Sequence, residues 1–144
     1  MPTITSAVSN LKDIGPVLDC QLAISRAAEQ ALTKAGQPIP SPLPVSMQVD
    51  TGASNSMIQT GLAQKLGLQP VGTASINTPS SHNVSCDVYA VRLLLSSSVT
   101  VTADVTAIEA PLQGQTIHGL IGRDLLSVAV FVYLGRENQF TLAF

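Results

Sequence analysis

Asp50 is followed by Thr51, Gly52 and Ala53, so a carboxylate stands beside a short hydroxyl and a residue without a side chain. The hydroxyl can hydrogen-bond locally and the glycine lets backbone come close, two features that fix the carboxylate's orientation and tune its acidity. Such a group suits acid–base work on water, provided that a second carboxylate shares a proton with it. One is ionised and activates the water; the other is protonated and polarises a carbonyl. No second Asp-Thr-Gly or Asp-Ser-Gly occurs, because Asp13, Asp19, Asp87, Asp104 and Asp124 are followed by Ile, Cys, Val, Val and Leu. The missing carboxylate must come from another copy of the chain, and a two-fold axis can bring the two Asp50 residues face to face.

Other candidate chemistry is weaker. His82 and Cys86 stand four apart, but the segment around them reads as a hairpin tip and strand, with no group to orient a Cys–His nucleophile. His118 has no second histidine or carboxylate at a ligand spacing nearby, so it reads as a structural or loop histidine and no metal site is expected. Gly114, Gly119 and Gly122 lack the following Lys-Ser/Thr pair of a phosphate loop. Cys20 and Cys86 are too few for a disulfide framework and read as buried thiols. No cofactor is expected.

These residues sit in a chain of 144 residues, of which 45% are apolar, enough for one compact domain spanning 1–144. Charged residues make up only 11% and the net charge is -2, which argues against nucleic acid or an anionic membrane as partner. The longest apolar runs, such as Leu93 to Leu95 and Ser127 to Leu134, fall far short of the roughly 20 residues of a membrane-spanning helix. Met1 to Leu18 carries neither a basic leader nor a continuous apolar stretch, so the cytoplasm is the expected compartment.

The positioning elements read mostly as strands, short runs of Val, Ile, Leu and Thr broken by Gly, Pro, Ser and Asn. Val17 to Ile24 alternates as a half-buried first strand. Ser25 can cap a peripheral helix through Ala35, with Gly36 as a left-handed stop, and the proline-rich stretch 37–44 follows as a stiff loop. Val45 to Val49 runs as a strand straight into Asp50. Thr60 can cap a second short helix carrying Leu62, Ala63 and Leu66. Strands are then expected at Val71 to Ile76, Val84 to Leu95, Val99 to Ile108 and Phe140 to Phe144, with a short helix from Arg123 to Val130. Arg123 and Asp124 read as a solvated pair opening that helix, and Leu125, Leu126 and Val130 as its core face. The polar stretch between Ile76 and Val84 reads as an exposed hairpin tip.

Val49-Asp50-Thr51-Gly52-Ala53-Ser54, taken with Gly119-Leu120-Ile121-Gly122-Arg123-Asp124-Leu125-Leu126, resembles the retropepsin-like aspartic proteases. The likeness covers roughly Val17 to Phe144 and is closer to bacterial-type members than to viral ones, with 25–44 as an insertion relative to the minimal viral enzymes. It implies an all-β fold, a mostly antiparallel closed barrel with one or two short helices. It further implies a homodimeric aspartic endopeptidase with Asp50 catalytic, Thr51 bracing the dyad, and Gly52 and Ala53 completing the loop. Leu120, Ile121, Gly122 and Arg123 would support that loop from behind. Ile76, Asn77, Thr78, Pro79, Ser80, Ser81 and His82 would form a flap over a peptide or protein substrate bound in extended form. Phe140 to Phe144 resembles the strand that family members interleave between subunits, so that its deletion is expected to weaken the dimer.

Two departures stand out. Family flaps are often rich in glycine, whereas 77–83 contains Pro79 and no glycine; and viral members often carry an acid four residues after the catalytic Asp, paired with the arginine after the supporting glycine, where this chain has Ser54. Arg123 therefore needs another partner. Both departures bear on an alternative reading, a peptide-binding or dimerisation module that keeps the fold without turnover.

Overall fold

The computed structural model describes residues 1–78, 81–96, 101–112 and 116–144. Ten strands and four short α-helices make up its regular structure: β1 (Thr3–Ala7), α1 (Leu11–Ile14), β2 (Val17–Ile24), α2 (Arg26–Lys34), β3 (Leu43–Val49), β4 (Met57–Gln59), α3 (Leu62–Lys65), β5 (Gly72–Thr78), β6 (Ser81–Ser96), β7 (Val101–Ala110), β8 (Gly119–Ile121), α4 (Arg123–Leu126), β9 (Val130–Leu134) and β10 (Gln139–Ala143). A 3-10 turn, Gly135–Glu137, joins the last two strands.

Seven strands run in the order β2-β3-β8-β4-β7-β6-β5, and a further pairing of β2 with β6 closes the first six into a barrel. Pairing is antiparallel except for β3 with β8 and β4 with β7. Alternation along the strands explains the closure. In β3, Val45, Met47 and Val49 point inward and are at most 4% exposed, while Pro44, Ser46 and Gln48 point out. Leu22 and Ile24 of β2 and Val91, Leu93 and Leu95 of β6 meet them in the interior. The expected all-β barrel is thus present.

The expected first strand has the expected bounds, 17–24, but is second in the chain: β1 precedes it and pairs with β10, more than 130 residues away. Ser25 caps α2 through its side chain, accepting from Ala28 N, and Gly36 takes φ +65°. No residue of α2 is buried, so it lies at the periphery, tied down by the Glu29–Arg92 ion pair. The second helix differs from expectation. Gly61, at φ +93°, is its N-cap rather than Thr60, because the turn after β4 requires a left-handed residue there. The resemblance implied one or two helices and four occur among the described residues; α4 opens at Arg123, where a short helix was expected, whereas α1, a single turn of four residues, was not expected.

The largest departure lies after α4, where the helix ends at Leu126 instead of Val130. The β-branched and aromatic run Val128 to Tyr133 favours a strand, and β9 forms a hairpin with β10. Val130, expected on the helix's core face, lies on β9 and is 51% exposed. β10 is hydrogen-bonded on one edge to β1 and on the other to β9, and its Phe140 and Leu142 are fully buried. The strand expected to interleave between subunits has both its neighbours in its own chain. Among the described residues, no helix is long and apolar enough to cross a membrane.

Candidate active site

β3 delivers Asp50 as its last inward strand residue, Val49, gives way to a turn. The chain then arches through 50–56 and returns as β4. Between the two feet of this arch runs β8, parallel to β3 (Gln48 opposite Leu120, Val49 opposite Ile121) and antiparallel to β4 (Met57 opposite Leu120, Ile58 opposite Gly119). The arch is thereby held at both ends by one strand from a distant part of the sequence.

Asp50 itself is half-buried. Its backbone N–H donates to Ile121 O at 2.9 Å, and its Oδ1 accepts the Gly52 N–H at 2.8 Å. A Cβ on residue 52 would stand 3.1 Å from that Oδ1, so glycine gives the carboxylate and its backbone donor the room they use. Thr51 and Gly52 are exposed and Ala53 is half-buried. Ala53 N closes the turn on Asp50 O at 3.2 Å.

Behind the arch, Gly122 abuts the backbone of Asn55: a Cβ there would lie 2.5 Å from its carbonyl carbon and 2.6 Å from its oxygen. No side chain fits at that contact, which accounts for the glycine that follows Leu120 and Ile121. Ile121 is fully buried beneath the loop and Leu120 is half-buried. The first N–H groups of α4 donate into the arch, Arg123 N to Ala53 O at 2.8 Å and Asp124 N to Ser54 O at 3.1 Å. Arg123 finds its partner in the same place, its Nη1 donating to Thr51 O at 2.8 Å. With serine at 54, a backbone carbonyl takes the role that an acid would have filled.

Ser56 and Asp124 are the residues that sequence reasoning missed. Ser56 is fully buried; its N–H donates to Asp124 Oδ2 and its hydroxyl to Asp124 Oδ1, both at 2.8 Å. The same hydroxyl accepts from Gly122 N at 3.1 Å. Arg123 and Asp124 are therefore not a mutually solvated pair, since each grips a different part of the arch. The signal available in the sequence was a serine set against the apolar Met57 and Ile58, a polar group that needs a partner once buried.

The hairpin of β5 and β6 carries the other expected site residues. The strands extend beyond the expected bounds to pair Thr78 with Ser81, with an irregularity between Ile76 and Thr78. Asn77, Thr78, Ser81 and His82 thus belong to strands rather than to a long loop, and Pro79 and Ser80 lie outside the described residues. Asn77 Oδ1 accepts from the N–H of Asn83, which takes φ +54°. Ile76 is half-buried, and Asn77 and His82 are exposed.

His82 and Cys86 lie on one strand four residues apart, about 13 Å at the usual rise, too far for a nucleophile and its base. His118 is structural: its Nδ1 accepts from Ser46 N at 3.0 Å while its N–H donates to Ser46 O at 2.7 Å, continuing the β3–β8 pairing. Cys20 is buried, and that burial, with the Asp19 carboxylate adding to it, pushes its thiol up to about 12. Among the described residues no group of three or more His, Cys, Asp and Glu could hold a metal ion. A cavity of about 630 Å³ lies on the outer face of the barrel, lined by Asp19, Ser46, Thr102 and His118 among others, and Asp50 has no part in it.

Asp50, Thr51 and Gly52 follow directly on β3 of a closed barrel and β8 crosses behind them, and this barrel is the fold of the retropepsin-like aspartic proteases. The aspartyl protease family model matches residues 36–125, and the chain belongs to that family. The chain is similar in fold to a retropepsin-like aspartic protease from Rickettsia conorii, with a TM-score of 0.56 and 16% identity over 98% of this chain and 90% of that one. It also matches the retroviral protease-like domain of Ddi1 from Leishmania major, with a TM-score of 0.46 and 14% identity over 87% of this chain and 86% of that one. A third match is the EIAV protease complexed with the inhibitor HBY-793, with a TM-score of 0.36 and 15% identity over 58% of this chain and 75% of that one. No curated protein matches the chain.

Proposed function

We propose that the protein is an aspartic endopeptidase active as a homodimer, each subunit giving one Asp50. The observation that carries this reading is Asp50 itself, half-buried at the end of β3 and oriented by the Gly52 N–H, in a chain of the aspartyl protease family. A lone carboxylate of this kind has no partner to share a proton with, and the second copy supplies one. The ionised Asp50 takes a proton from water as its oxygen attacks the scissile carbonyl carbon, and the protonated one gives its proton to the carbonyl oxygen. Collapse of the tetrahedral species breaks the C–N bond as the Asp50 that took the water's proton passes it to the leaving nitrogen, while a hydroxyl on the carbon returns its proton to the other Asp50.

Thr51, Gly52 and Ala53 complete the loop, and Leu120, Ile121, Gly122 and Arg123 hold it from behind. The hairpin residues Ile76, Asn77, Thr78, Pro79, Ser80, Ser81 and His82 act as a flap over an extended peptide or protein substrate, whose backbone supplies much of the affinity. The chain acts as one domain over 1–144, with 25–44 an insertion. The cytoplasm is the proposed compartment, as suits Cys20 and Cys86, which stay unpaired.

Cleavage of a diverse peptide pool by wild type and Asp50→Asn, followed by mass spectrometry from about pH 4 to about pH 7, tests the reading. Cuts made by wild type and lost in Asp50→Asn are expected. A folded wild-type dimer that makes no cuts would replace the peptidase by a peptide-binding module of the same fold.

A further inference from the structure

We infer that the cavity on the outer face of the barrel is a second binding site, for a small uncharged molecule that carries a carboxamide on a short aliphatic group. At about 630 Å³ it falls in the size range of small-molecule sites. Strand register sets its floor. Pro44 stands opposite Gln21, Gln21 opposite Leu94, and Leu94 opposite Thr102, one row across β3, β2, β6 and β7. Ser46 and Asp19 face each other in the next row on the same side, and His118 stands beyond Ser46.

Ser46 organises the polar row. Its hydroxyl donates to Asp19 Oδ1 at 2.6 Å, and its N–H donates to His118 Nδ1 at 3.0 Å. Because Nδ1 accepts, the neutral ring carries its proton on Nε2. Among the described residues, neither that N–H nor Asp19 Oδ2 has a hydrogen-bond partner. The cavity therefore offers one unused donor and one unused acceptor, on either side of a single residue that holds both in place. Little ordering is left for a ligand to supply.

Charge selects the ligand. The Asp19 carboxylate lines the cavity, and at the Thr102 end Arg26 Nη2 donates to Thr102 Oγ1 at 3.1 Å. An anion is repelled by the first and a cation by the second, and a cation has no use for the imidazole N–H. A carboxamide uses both groups, its N–H donating to Asp19 and its oxygen accepting from His118. Pro44 and Leu94, the apolar neighbours of Gln21, receive the aliphatic part. Asp50 takes no part, so binding here does not depend on peptidase activity.

Three probes of one shape test the inference: isobutyramide, isobutyrate and isobutylammonium, titrated into the full chain at about pH 7.5, where an ordinary imidazole is neutral. Nuclear magnetic resonance follows the backbone signals of Asp19, Gln21, Ser46 and His118. Isobutyramide should shift them saturably with a dissociation constant of roughly ten millimolar, as suits six heavy atoms. The two ions should bind at least about tenfold more weakly. A glutamine blocked at both ends supplies the same group on a peptide, and the tighter of the two amides identifies the source.

Asp19→Asn keeps an acceptor for the Ser46 hydroxyl and puts a donor in place of the second oxygen, so amide affinity should fall at least about tenfold. Gln21→Lys, at an exposed position in the middle of the floor, should do the same by filling it, and serves should Asp19→Asn fail to fold. Circular dichroism checks both. No saturable shift with isobutyramide or the blocked glutamine would overturn the inference. So would an ion that binds as tightly as the amide, or folded variants that bind it like wild type.

Discussion

Asp124 holds Ser56 with both carboxylate oxygens, each at 2.8 Å, one from the serine's N–H and one from its hydroxyl. The two residues are 68 apart in sequence, and their contact joins the far foot of the Asp50 arch to the first turn of α4.

Replacing Ser56 by Ala removes the hydroxyl and leaves the Gly122 N–H without its acceptor in a buried setting. Unfolding by urea should show a loss of about 1–3 kcal/mol, the usual cost of an unsatisfied buried polar group. Asp124→Asn, whose amide can accept through only one oxygen, should lose a comparable amount. The double variant should lose less than the sum of the two, because the residues share one network.

Arg123 acts on the loop from outside. It is exposed and its guanidinium donates to Thr51 O, so Arg123→Met should change stability by no more than about 1 kcal/mol. If the proposed activity holds, kcat should nevertheless fall by about tenfold, since misplacing a catalytic group by an ångström is enough to cost that much. Peptide cleavage set beside a thermal melt separates the two effects.

Cys20 gives a signed dependence on pH. Burial raises its thiol from the ordinary 9.0 to about 12 in the folded state. Between these values the unfolded chain releases a proton that the folded chain keeps, so stability is intact below about pH 9 and declines as pH rises toward 12, by at most about 1.4 kcal/mol per unit. Cys20→Ala should flatten that decline in alkaline denaturation profiles. In native protein near neutral pH, a thiol reagent should label Cys86, which is half-buried, well before Cys20.

Truncation before Phe140 should unfold the subunit instead of producing a folded monomer. Phe140 and Leu142 are fully buried, and losing two such side chains removes about 3–6 kcal/mol, a large part of what a domain of this size has to spare. Circular dichroism of the truncated chain decides; a folded monomer would return β10 to the role of an exchanged strand.

Much of this was legible because it is local. The bounds of β2, the Ser25 cap of α2 and the left-handed Gly36 follow from alternation, a side-chain acceptor and a missing Cβ, each visible within a few residues. The Asp50 turn and the glycine at 122 were likewise visible as types in order. What failed was of two kinds. Short strands such as β4 and β8 are only three residues long and have no period of their own to read. The run after α4 joins helix-forming Leu125 and Leu126 to β-branched Val128 and Val130, and local propensity alone does not settle where one stops.

By itself, then, the sequence determined that a carboxylate would sit at the end of a buried strand, followed by a residue with no side chain, and that a single chain holds one such carboxylate. The tertiary structure decided what holds it. β8 reaches the gap between β3 and β4 only when the barrel closes, and only then do Ser56 and Asp124 meet and Arg123 find the Thr51 carbonyl. It also decided that β10 is internal and β9 is the edge, because that depends on β1, at the opposite end of the chain, taking the place beside β10. Contacts between residues 60 or more apart leave no period or motif in a sequence; they are fixed by which surfaces are left to bury once the local elements have formed.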